Sequence, residues 1–266
     1  MKFHLSTYQN NYSKIIKYSA LVILIFILSF KATSEIPEKY KIESSLSNCK
    51  GTDYRKWNNC YGEYKFPRIE YKGEWKNGNM HGKGILMEAW GGVYVGDFKN
   101  NLADGFGRQE ETNGSWWEGG VKNDELNGIG IYHTSDNCDY EGFFKDFMLN
   151  GAGKITCESG ASKQGFFKDD KLNGKGFETT ENGTKYYGNF KNGQLNGYGR
   201  IEWSDGDIEF GIYIKDKLNG EGTFITKQGN QYVGQWKNGS KKGKGTETWP
   251  NGYIYEGEFS DSKWHG

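Results

Sequence analysis

The chain has 266 residues, of which 40 are glycine, 3 are proline and 16% are aromatic. This composition argues against a globular core of leucine, isoleucine and valine, and it favours a thin sheet in which rings lie against glycine backbone. Basic and acidic residues number 34 each, so the net charge is zero. The first 34 residues hold four lysines and no acid, so the remainder carries 30 basic and 34 acidic residues, a net charge of −4. That balance argues against nucleic acid as a partner, because phosphate binding requires a basic surplus.

The N-terminus carries an apolar run at residues 19–30, with Lys17 before it and Lys31 after it. A transmembrane helix needs about 20 apolar residues, and this run is shorter. The small residues 32–34 that follow are typical of a signal-peptidase site, so we predict a secretory signal over residues 1–34. An uncleaved signal anchor is the alternative, since Lys31 lies close to the proposed cut. We therefore expect a periplasmic or secreted protein, or one tethered to the membrane by its N-terminus.

All four cysteines follow this signal, as in many exported chains. Cys49 and Cys60 lie eleven residues apart, and Cys138 and Cys157 lie nineteen apart. Neither pair has the C-x-x-C spacing of a zinc or redox site. We therefore predict two structural disulfides, Cys49–Cys60 and Cys138–Cys157.

From residue 71 onward the sequence repeats every 23 residues without insertion or deletion. The nine units begin at residues 71, 94, 117, 140, 163, 186, 209, 232 and 255. With the first residue of each unit as position 0, glycine occupies positions 2 and 11 in all nine units. It also occupies position 13 in all eight units that reach it. A fixed period of this size is the signature of a repeat architecture. Before the repeats, residues 35–47 are predicted to be a linker and residues 48–70 an atypical N-terminal cap held by Cys49–Cys60.

Each unit is predicted to form a β-hairpin. Positions 0 to 4 alternate aromatic, variable, glycine, variable and aromatic, which is the period of a strand. Positions 5–10 are polar and predict a turn, positions 11–17 a return strand, and position 9 is expected to fold back over the rings. A second turn has glycine at position 20 except for Asn137, the residue that best replaces glycine at positive φ. The predicted fold class is all-β: an elongated, twisted single-layer sheet of consecutive antiparallel β-hairpins over residues 71–266.

The cysteines test this register. If Gly142 faces Gly153 across the fourth hairpin, Cys138 directly faces Cys157 and the two can form a disulfide. At the other end of the repeats, the last strand is expected to leave an open edge near Glu256. Charges on such an edge usually prevent further pairing. The alternative is a tail-to-tail homodimer through this edge.

The pattern Tyr-Lys-Gly-Glu-Trp-Lys-Asn-Gly-Asn-Met-His-Gly-Lys-Gly at residues 71–84 resembles the MORN repeat (membrane occupation and recognition nexus), as does the segment at 232–239. The resemblance covers residues 71–266. Lys163 and Glu209 depart from it at the first aromatic position and are expected to weaken single ring contacts. The resemblance implies a scaffold or binding surface. Lipid binding has been proposed for the family, but it does not follow from the repeat itself.

No group of residues in the sequence suggests catalysis. The histidines His4, His81, His133 and His265 are widely separated and lack clustered carboxylates. The Gly-x-Gly pairs recur in every hairpin, so they do not indicate a phosphate-binding loop. We therefore expect no enzymatic activity, cofactor or metal.

Positions 1 and 3 should face away from the consensus rings. They are polar in the terminal units and become apolar in the middle of the chain, at Phe143, Phe166, Tyr187, Phe210 and Ile212. An exposed apolar patch of that extent marks a contact site, and we expect a protein partner there. The alternative is that the sheet curls over these side chains or that another segment covers them.

Position 5 carries lysine in seven units. At intervals of about 10 Å, this lysine column can follow an anionic lipid surface. The alternative is a solubilising edge, because Asp124, Asp146, Asp169 and Asp170 dilute the positive charge. The column consists of Lys76, Lys99, Lys122, Lys145, Lys168, Lys191 and Lys237.

Overall fold

The computed structural model describes residues 42–265, so the proposed signal, most of the linker and Gly266 lie outside the described residues. It contains one open sheet of 19 strands, in which each strand pairs antiparallel with the strand before it and the strand after it in sequence. This confirms the predicted all-β ribbon of hairpins. The strands are β1 Cys60–Lys65, β2 Ile69–Lys76, β3 Asn79–Glu88, β4 Val93–Lys99, β5 Leu102–Glu110, β6 Trp116–Lys122, β7 Glu125–His133, β8 Cys138–Lys145, β9 Met148–Cys157, β10 Ser162–Lys168, β11 Lys171–Thr179, β12 Lys185–Lys191, β13 Gln194–Glu202, β14 Ile208–Ile214, β15 Lys217–Ile225, β16 Gln231–Lys237, β17 Ser240–Thr248, β18 Ile254–Ser260 and β19 Lys263–His265.

The loop of each hairpin consists of only two residues, at positions 6 and 7. Both residues have positive φ in all nine tips, between +49° and +53° at position 6 and between +61° and +83° at position 7. Two-residue loops of this kind are type I′ turns, whose twist matches that of the flanking strands. The return strand therefore begins at position 8, and the expected turn over positions 5–10 was wrong. Asparagine, aspartate and glycine occupy most tip positions, and Phe147 is the aromatic exception.

The glycine at position 11 lies in a bulge of the return strand. Gly142 pairs with Gly153 and Phe144 with Leu149, so position 3 faces the three residues of positions 10–12. The extra residues bend the return strand. All eight described glycines at position 11 have φ between +63° and +136°, a region that side chains rarely adopt.

The predicted register is confirmed in the fourth hairpin. Cys138 pairs with Cys157, and the two form a disulfide with a Cα–Cα distance of 4.0 Å. The second turn also follows the prediction, since Asn137 has a φ of +59°.

The core lies on one face of the sheet, called the inner face here, which carries positions 0, 2, 4, 9 and 13. The side chain at position 4 is buried in every unit. The nine residues are Trp75, Phe98, Val121, Phe144, Phe167, Phe190, Tyr213, Trp236 and Phe259.

The glycine pair at positions 2 and 13 is covered in two different ways. In the units that begin at 71, 94 and 232, the tyrosine at position 0 lies on both glycines, and in the last unit Tyr255 lies on Gly257. Each of these hydroxyls donates to the carbonyl at position 3, as Tyr71 does to Glu74 at 2.9 Å. In the five middle units, a buried leucine at position 9 covers them instead. These leucines are Leu126, Leu149, Leu172, Leu195 and Leu218.

This difference corrects the expectation for the two departures from the aromatic pattern. Lys163 and Glu209 both occur in leucine-covered units. No ring contact with the glycine pair is weakened there, because the leucine already fills that space.

Neighbouring units are joined through the hairpin tips. At all eight junctions between units, the N–H of position 7 donates to the carbonyl of position 9 in the preceding unit. At five junctions, the side chain at position 7 also accepts a hydrogen bond from the N–H of position 9. For example, the Leu149 N–H lies 2.7 Å from Asp170 Oδ1. Burial raises the pKa of the Asp170 carboxyl.

The segment before the first unit imitates the return strand of a preceding unit. The Trp57 carbonyl accepts the N–H of Gly78 at 2.8 Å, which is the bond that position 9 makes elsewhere. The Trp57 ring packs 5.1 Å from the ring of Trp75, and Cys49 and Cys60 form the second disulfide. These contacts are the ones an N-terminal cap needs, although the domain division itself stays a prediction.

At the other end of the described range, β19 pairs with β18 alone. Within residues 42–265, the part of β18 from Ile254 to Gly257 has no strand partner on its far side. The tail-to-tail homodimer through this edge stays a prediction. No helix in the described range has the length and apolarity needed to cross a bilayer.

Candidate functional site on the outer face

The five predicted patch residues lie on the face opposite the core, called the outer face here. Phe143, Phe166 and Ile212 are exposed, with Phe166 the most open at 51%, whereas Tyr187 and Phe210 are half-buried. They do not form one row. Positions 3 and 12 make one row across the strands, and positions 1 and 14 make a second row beside it.

The return strands complete the patch with residues that the sequence analysis missed. Phe177 pairs with Tyr187, and their ring centroids lie 4.9 Å apart. Tyr198 pairs with Ile212 and is 55% exposed. The register that predicted the Cys138–Cys157 disulfide would also have placed these residues, had it been extended to the neighbouring strands.

We define the outer patch by the apolar residues of the two rows from β10 to β14. The polar residues between them are Gln164, Lys175, Asn189 and Arg200, so these rows contain no carboxylate. Arg200 is paired with Glu202, which lies beside the rows, at 2.8 Å. The outer patch consists of Phe166, Phe177, Tyr187, Tyr198, Phe210 and Ile212.

Closer to the N-terminus, the outer face carries charged side chains that contact an aromatic ring and one another. There the Arg108 guanidinium lies 4.1 Å from the Trp116 ring, and that ring stacks on His133 at 5.7 Å. His133 Nδ1 lies 2.6 Å from Asp139 Oδ1, and Arg108 also pairs with Glu118. These contacts form a ladder of side chains from Arg108 on β5 to Asp139 on β8. The outer patch begins two strands later, at β10.

The lysine column lies along the edge formed by the hairpin tips. All seven lysines are exposed, and none forms an ion pair with another residue of the described chain. The carboxylates of Asp124, Asp170 and Asp216 point back to backbone N–H groups of the preceding unit. These hydrogen bonds hold Asp124 and Asp170 within the tips, two residues from Lys122 and Lys168, so their negative charge stays beside the lysine column.

The structure does not bring the histidines together. His81, His133 and His265 lie on β3, β7 and β19, and His4 lies outside the described residues. In residues 42–265 there is no group of three or more histidine, cysteine, aspartate or glutamate side chains arranged to hold a metal. Desolvation raises the pKa of the buried hydroxyls of Tyr71, Tyr94 and Tyr232, to about 12 for Tyr232, so these three hydroxyls stay protonated at neutral pH.

Comparisons with solved structures give weak matches. The wild-type TCP10 domain of Danio rerio CPAP is 13% identical, with 76% of this chain and 95% of that chain covered and a TM-score of 0.39. A mutant of the same domain is 12% identical, with 74% and 99% covered and a TM-score of 0.37. A comparison with curated proteins finds no match.

The model of the MORN repeat family, by contrast, matches the chain nine times in succession. The matched residues are 71–92, 94–115, 117–139, 140–162, 164–185, 186–208, 210–231, 232–252 and 255–266. These segments coincide with the nine hairpin units of the sheet. With its repeats extending from residue 71 to residue 266, this chain belongs to the MORN repeat family.

Proposed function

We propose that this protein is an exported, non-catalytic repeat scaffold that binds a protein partner through the outer patch. The observation that carries the proposal is a set of six large side chains on a face that the fold does not need for its own core. Three of them, Phe166, Tyr198 and Ile212, are more than one-third exposed, and so is the nearby Phe143. Apolar surface free of carboxylates and surrounded by polar groups is typical of protein contact sites.

Export is supported by the two disulfides, which persist in oxidising compartments. Fractionation of cells, combined with thiol labelling before and after reduction, tests this part of the proposal. We expect the protein in an envelope or secreted fraction with all four thiols blocked. Free thiols in a cytosolic protein would contradict export. N-terminal sequencing of the same material distinguishes a cleaved signal from an uncleaved anchor.

The partner site is tested by the double variant Phe143→Glu with Phe166→Glu. Both side chains lie on the outer face, so the hairpins should still form, and circular dichroism should be unchanged. Cross-linking in the native envelope followed by affinity capture should recover a partner with the wild type and lose it with the double variant. Trp90→Glu is the matched control, since Trp90 is an exposed aromatic residue outside the patch. A double variant that captures the partner as well as the control does would contradict the proposal.

A second function is supported by the exposure of all seven lysines, none of which is ion-paired within residues 42–265. On this alternative, the lysine column binds anionic lipid. Flotation with anionic and neutral vesicles separates the two proposals. Salt-sensitive binding that is specific to anionic vesicles and is lost on changing Lys168, Lys191 and Lys237 to glutamine would support the lipid function. Equal flotation with both kinds of vesicle, or binding unchanged in the triple variant, would contradict it.

A further inference from the structure

We propose that the Glu209 side chain binds an alkylammonium group that another molecule supplies, of the kind that ends a lysine side chain. The site lies on the inner face, opposite the outer patch, so the inference goes beyond the proposed function and does not depend on it. Three observations support it: the apolar surroundings of Glu209, its lack of a cationic partner within residues 42–265, and the lysines that pair with the equivalent glutamates elsewhere on the inner face.

Glu209 occupies position 0 on β14, where six of the nine units carry tyrosine. Its side chain is half-buried. In its row across the strands it lies between Ile201 on β13, which is buried, and Phe224 on β15. Tyr213, two turns of the pleat further along β14, is also buried and donates its hydroxyl to Glu209 Oε1 at 3.0 Å. A carboxylate is therefore held among apolar side chains, where its negative charge is poorly solvated.

The Glu209 carboxylate has no positively charged partner among residues 42–265. Burial raises the pKa of the Glu209 carboxyl, and the hydrogen bond from Tyr213 offsets only part of that effect. A carboxylate accepts at both oxygens, so a further donor can bind beside the Tyr213 hydroxyl. A cation that reaches this position would offset the unfavourable burial of the negative charge.

The inner face itself shows how such a carboxylate is paired. Position 15 pairs directly with position 0 of the same unit, so both positions lie on the inner face. The glutamates at these two positions are Glu178, Glu209 and Glu247. Lys163 pairs with Glu178 at 3.2 Å, and Lys241 pairs with Glu247 at 2.7 Å. Two of the three carboxylates therefore bind an ammonium group of the same chain, and Glu209 is the one that does not.

The Lys241–Glu247 pair also shows that rings contribute to binding of the ammonium group. Lys241 Nζ lies 4.6 Å from the ring centroid of Tyr232 and 5.9 Å from that of Phe259. Aromatic faces attract cations through their electron-rich π-systems. This combination of one carboxylate with aromatic rings selects a cation, and the side chain that fills it is an alkylammonium.

Rings accompany Glu209 in the same way. Phe224 pairs directly with Glu209 across the hairpin. On the other side, Tyr186 pairs with Ile201, and the Tyr186 ring lies 6.5 Å from the ring of Trp203. Trp203 is 37% exposed, so this side of the site is open to a ligand. The apolar stem of an alkylammonium can lie along these rings while its charged end reaches the carboxylate.

The experiment is an NMR titration of the full chain that follows the indole N–H of Trp203 and the backbone amides of β14. The probes are n-butylammonium, which is a lysine side chain without its backbone, and n-butanol as the neutral control. We expect saturable shifts with n-butylammonium, with a Kd of about 1–10 mM for so small a ligand, and none with n-butanol. A third probe, the peptide acetyl-Gly-Lys-Gly-amide, identifies the source. Tighter binding of the peptide would support a lysine of a partner protein, and equal binding would support a free amine.

Glu209→Gln tests the charge, because the carboxamide oxygen can still accept the Tyr213 hydroxyl. It should weaken n-butylammonium binding by at least about tenfold, and thermal unfolding should show an intact fold. Glu221→Gln is the matched control, since Glu221 is exposed on the outer face of β15 and the change in net charge is the same. No saturable binding, equal binding of n-butanol, or the same affinity in Glu209→Gln and Glu221→Gln would each overturn the inference.

Phe224→Lys supplies the ammonium group from within the chain. The new lysine would pair with Glu209 in the register that Lys163 has with Glu178. It should occupy the site, so that n-butylammonium no longer binds, whereas the uncharged variant Phe224→Met should still bind it. Equal binding in these two variants would contradict the assignment of the site. Variants of the outer patch should leave ammonium binding unchanged, so the inference and the proposed function can fail separately.

Discussion

Replacing leucine by alanine at position 9 tests the two ways in which the glycine pair is covered. Leu172 and Leu195 are both essentially buried and lie over the glycine pairs of their own units. Removing a buried leucine side chain costs about 2–5 kcal/mol. In the unit of Leu172, position 0 is Lys163, which pairs with Glu178 at 3.2 Å. No ring is available to fill the cavity, so we expect Leu172→Ala to cost about 3–4 kcal/mol.

Leu195→Ala should cost less, because Tyr186 stands at position 0 of that unit. Its ring is half-buried in the native structure. Once Leu195 is truncated, the ring can move onto the glycine pair and donate its hydroxyl to the carbonyl of position 3, as Tyr232 does to Gln235 at 3.0 Å. The extra apolar burial and the hydrogen bond should offset about 1–2 kcal/mol of the cavity cost.

Urea unfolding followed by fluorescence measures the difference, and hydrogen exchange locates it, because repeat proteins can open unit by unit. Leu172→Ala combined with Lys163→Tyr should regain about 1–2 kcal/mol relative to Leu172→Ala alone. Lys163→Tyr in the wild-type background is the control and should gain nothing, since Leu172 occupies the site. Equal costs for the two leucine variants together with no rescue would refute this account of the core.

Three further predictions concern the junctions and the disulfide. Asp170→Asn keeps the acceptor for the Leu149 N–H and removes the charge. Because burial raises the pKa of folded Asp170, its ionisation destabilises the fold above the folded pKa, and this penalty is absent below the unfolded pKa of about 3.9. The variant should therefore be more stable than the wild type near neutral pH, with the difference lost below pH ~4 in thermal unfolding across pH; a difference independent of pH would contradict this. Asp170→Ala leaves the Leu149 N–H without its acceptor and should cost about 1–3 kcal/mol in urea unfolding, whereas an unchanged midpoint would show that the bond contributes nothing. Replacing Cys138 and Cys157 by serine opens a loop of 19 residues and should cost about 3 kcal/mol; under reducing conditions, where the Cys49–Cys60 disulfide is also open in both proteins, the wild type and the variant should unfold at the same urea concentration.

The pairing of the strands could be predicted from the sequence because it depends on periodicity and on glycine alone. Gly142 and Gly153 must face each other, since a Cβ on Gly142 would lie 2.6 Å from the Cα of Gly153. Once that pair is placed, every other antiparallel partner up to the bulge follows by counting. The opposition of Cys138 and Cys157 was therefore predictable from one pair of glycines.

The hairpin tips could not be predicted in the same way. Positions 5–10 look like a polar loop, yet four of these six residues belong to strands. The carboxylate of Asp170 looks like a surface charge in the sequence, but it accepts a hydrogen bond from Leu149, 21 residues away. Whether a polar side chain faces water or a neighbouring unit depends on how the units stack, and this is not visible within one unit.

The choice between tyrosine and leucine over the glycines was missed for a related reason. Both residue types fit the periodic pattern, at positions 0 and 9, and their competition for one space appears only when the bulge brings position 9 back over the glycines. Where leucine takes that space, position 0 no longer has to be a ring, which explains why Lys163 and Glu209 are tolerated. Lys163 and Glu209 therefore occur in units where leucine, and not tyrosine, packs over the glycine pair.

The same reasoning supports a functional role for the outer patch. All nine units build the inner face with position 4 and a covered glycine at position 2, and the backbone hydrogen bond at the junctions is the same throughout. The packing of the inner face therefore does not decide which side chains occupy most of the outer positions. Yet those positions form a ladder of polar contacts around Trp116, whereas every strand from β10 to β14 carries a large apolar side chain there. The concentration of large apolar side chains on a few adjacent strands of this face is therefore the feature that supports the proposed contact with a protein partner.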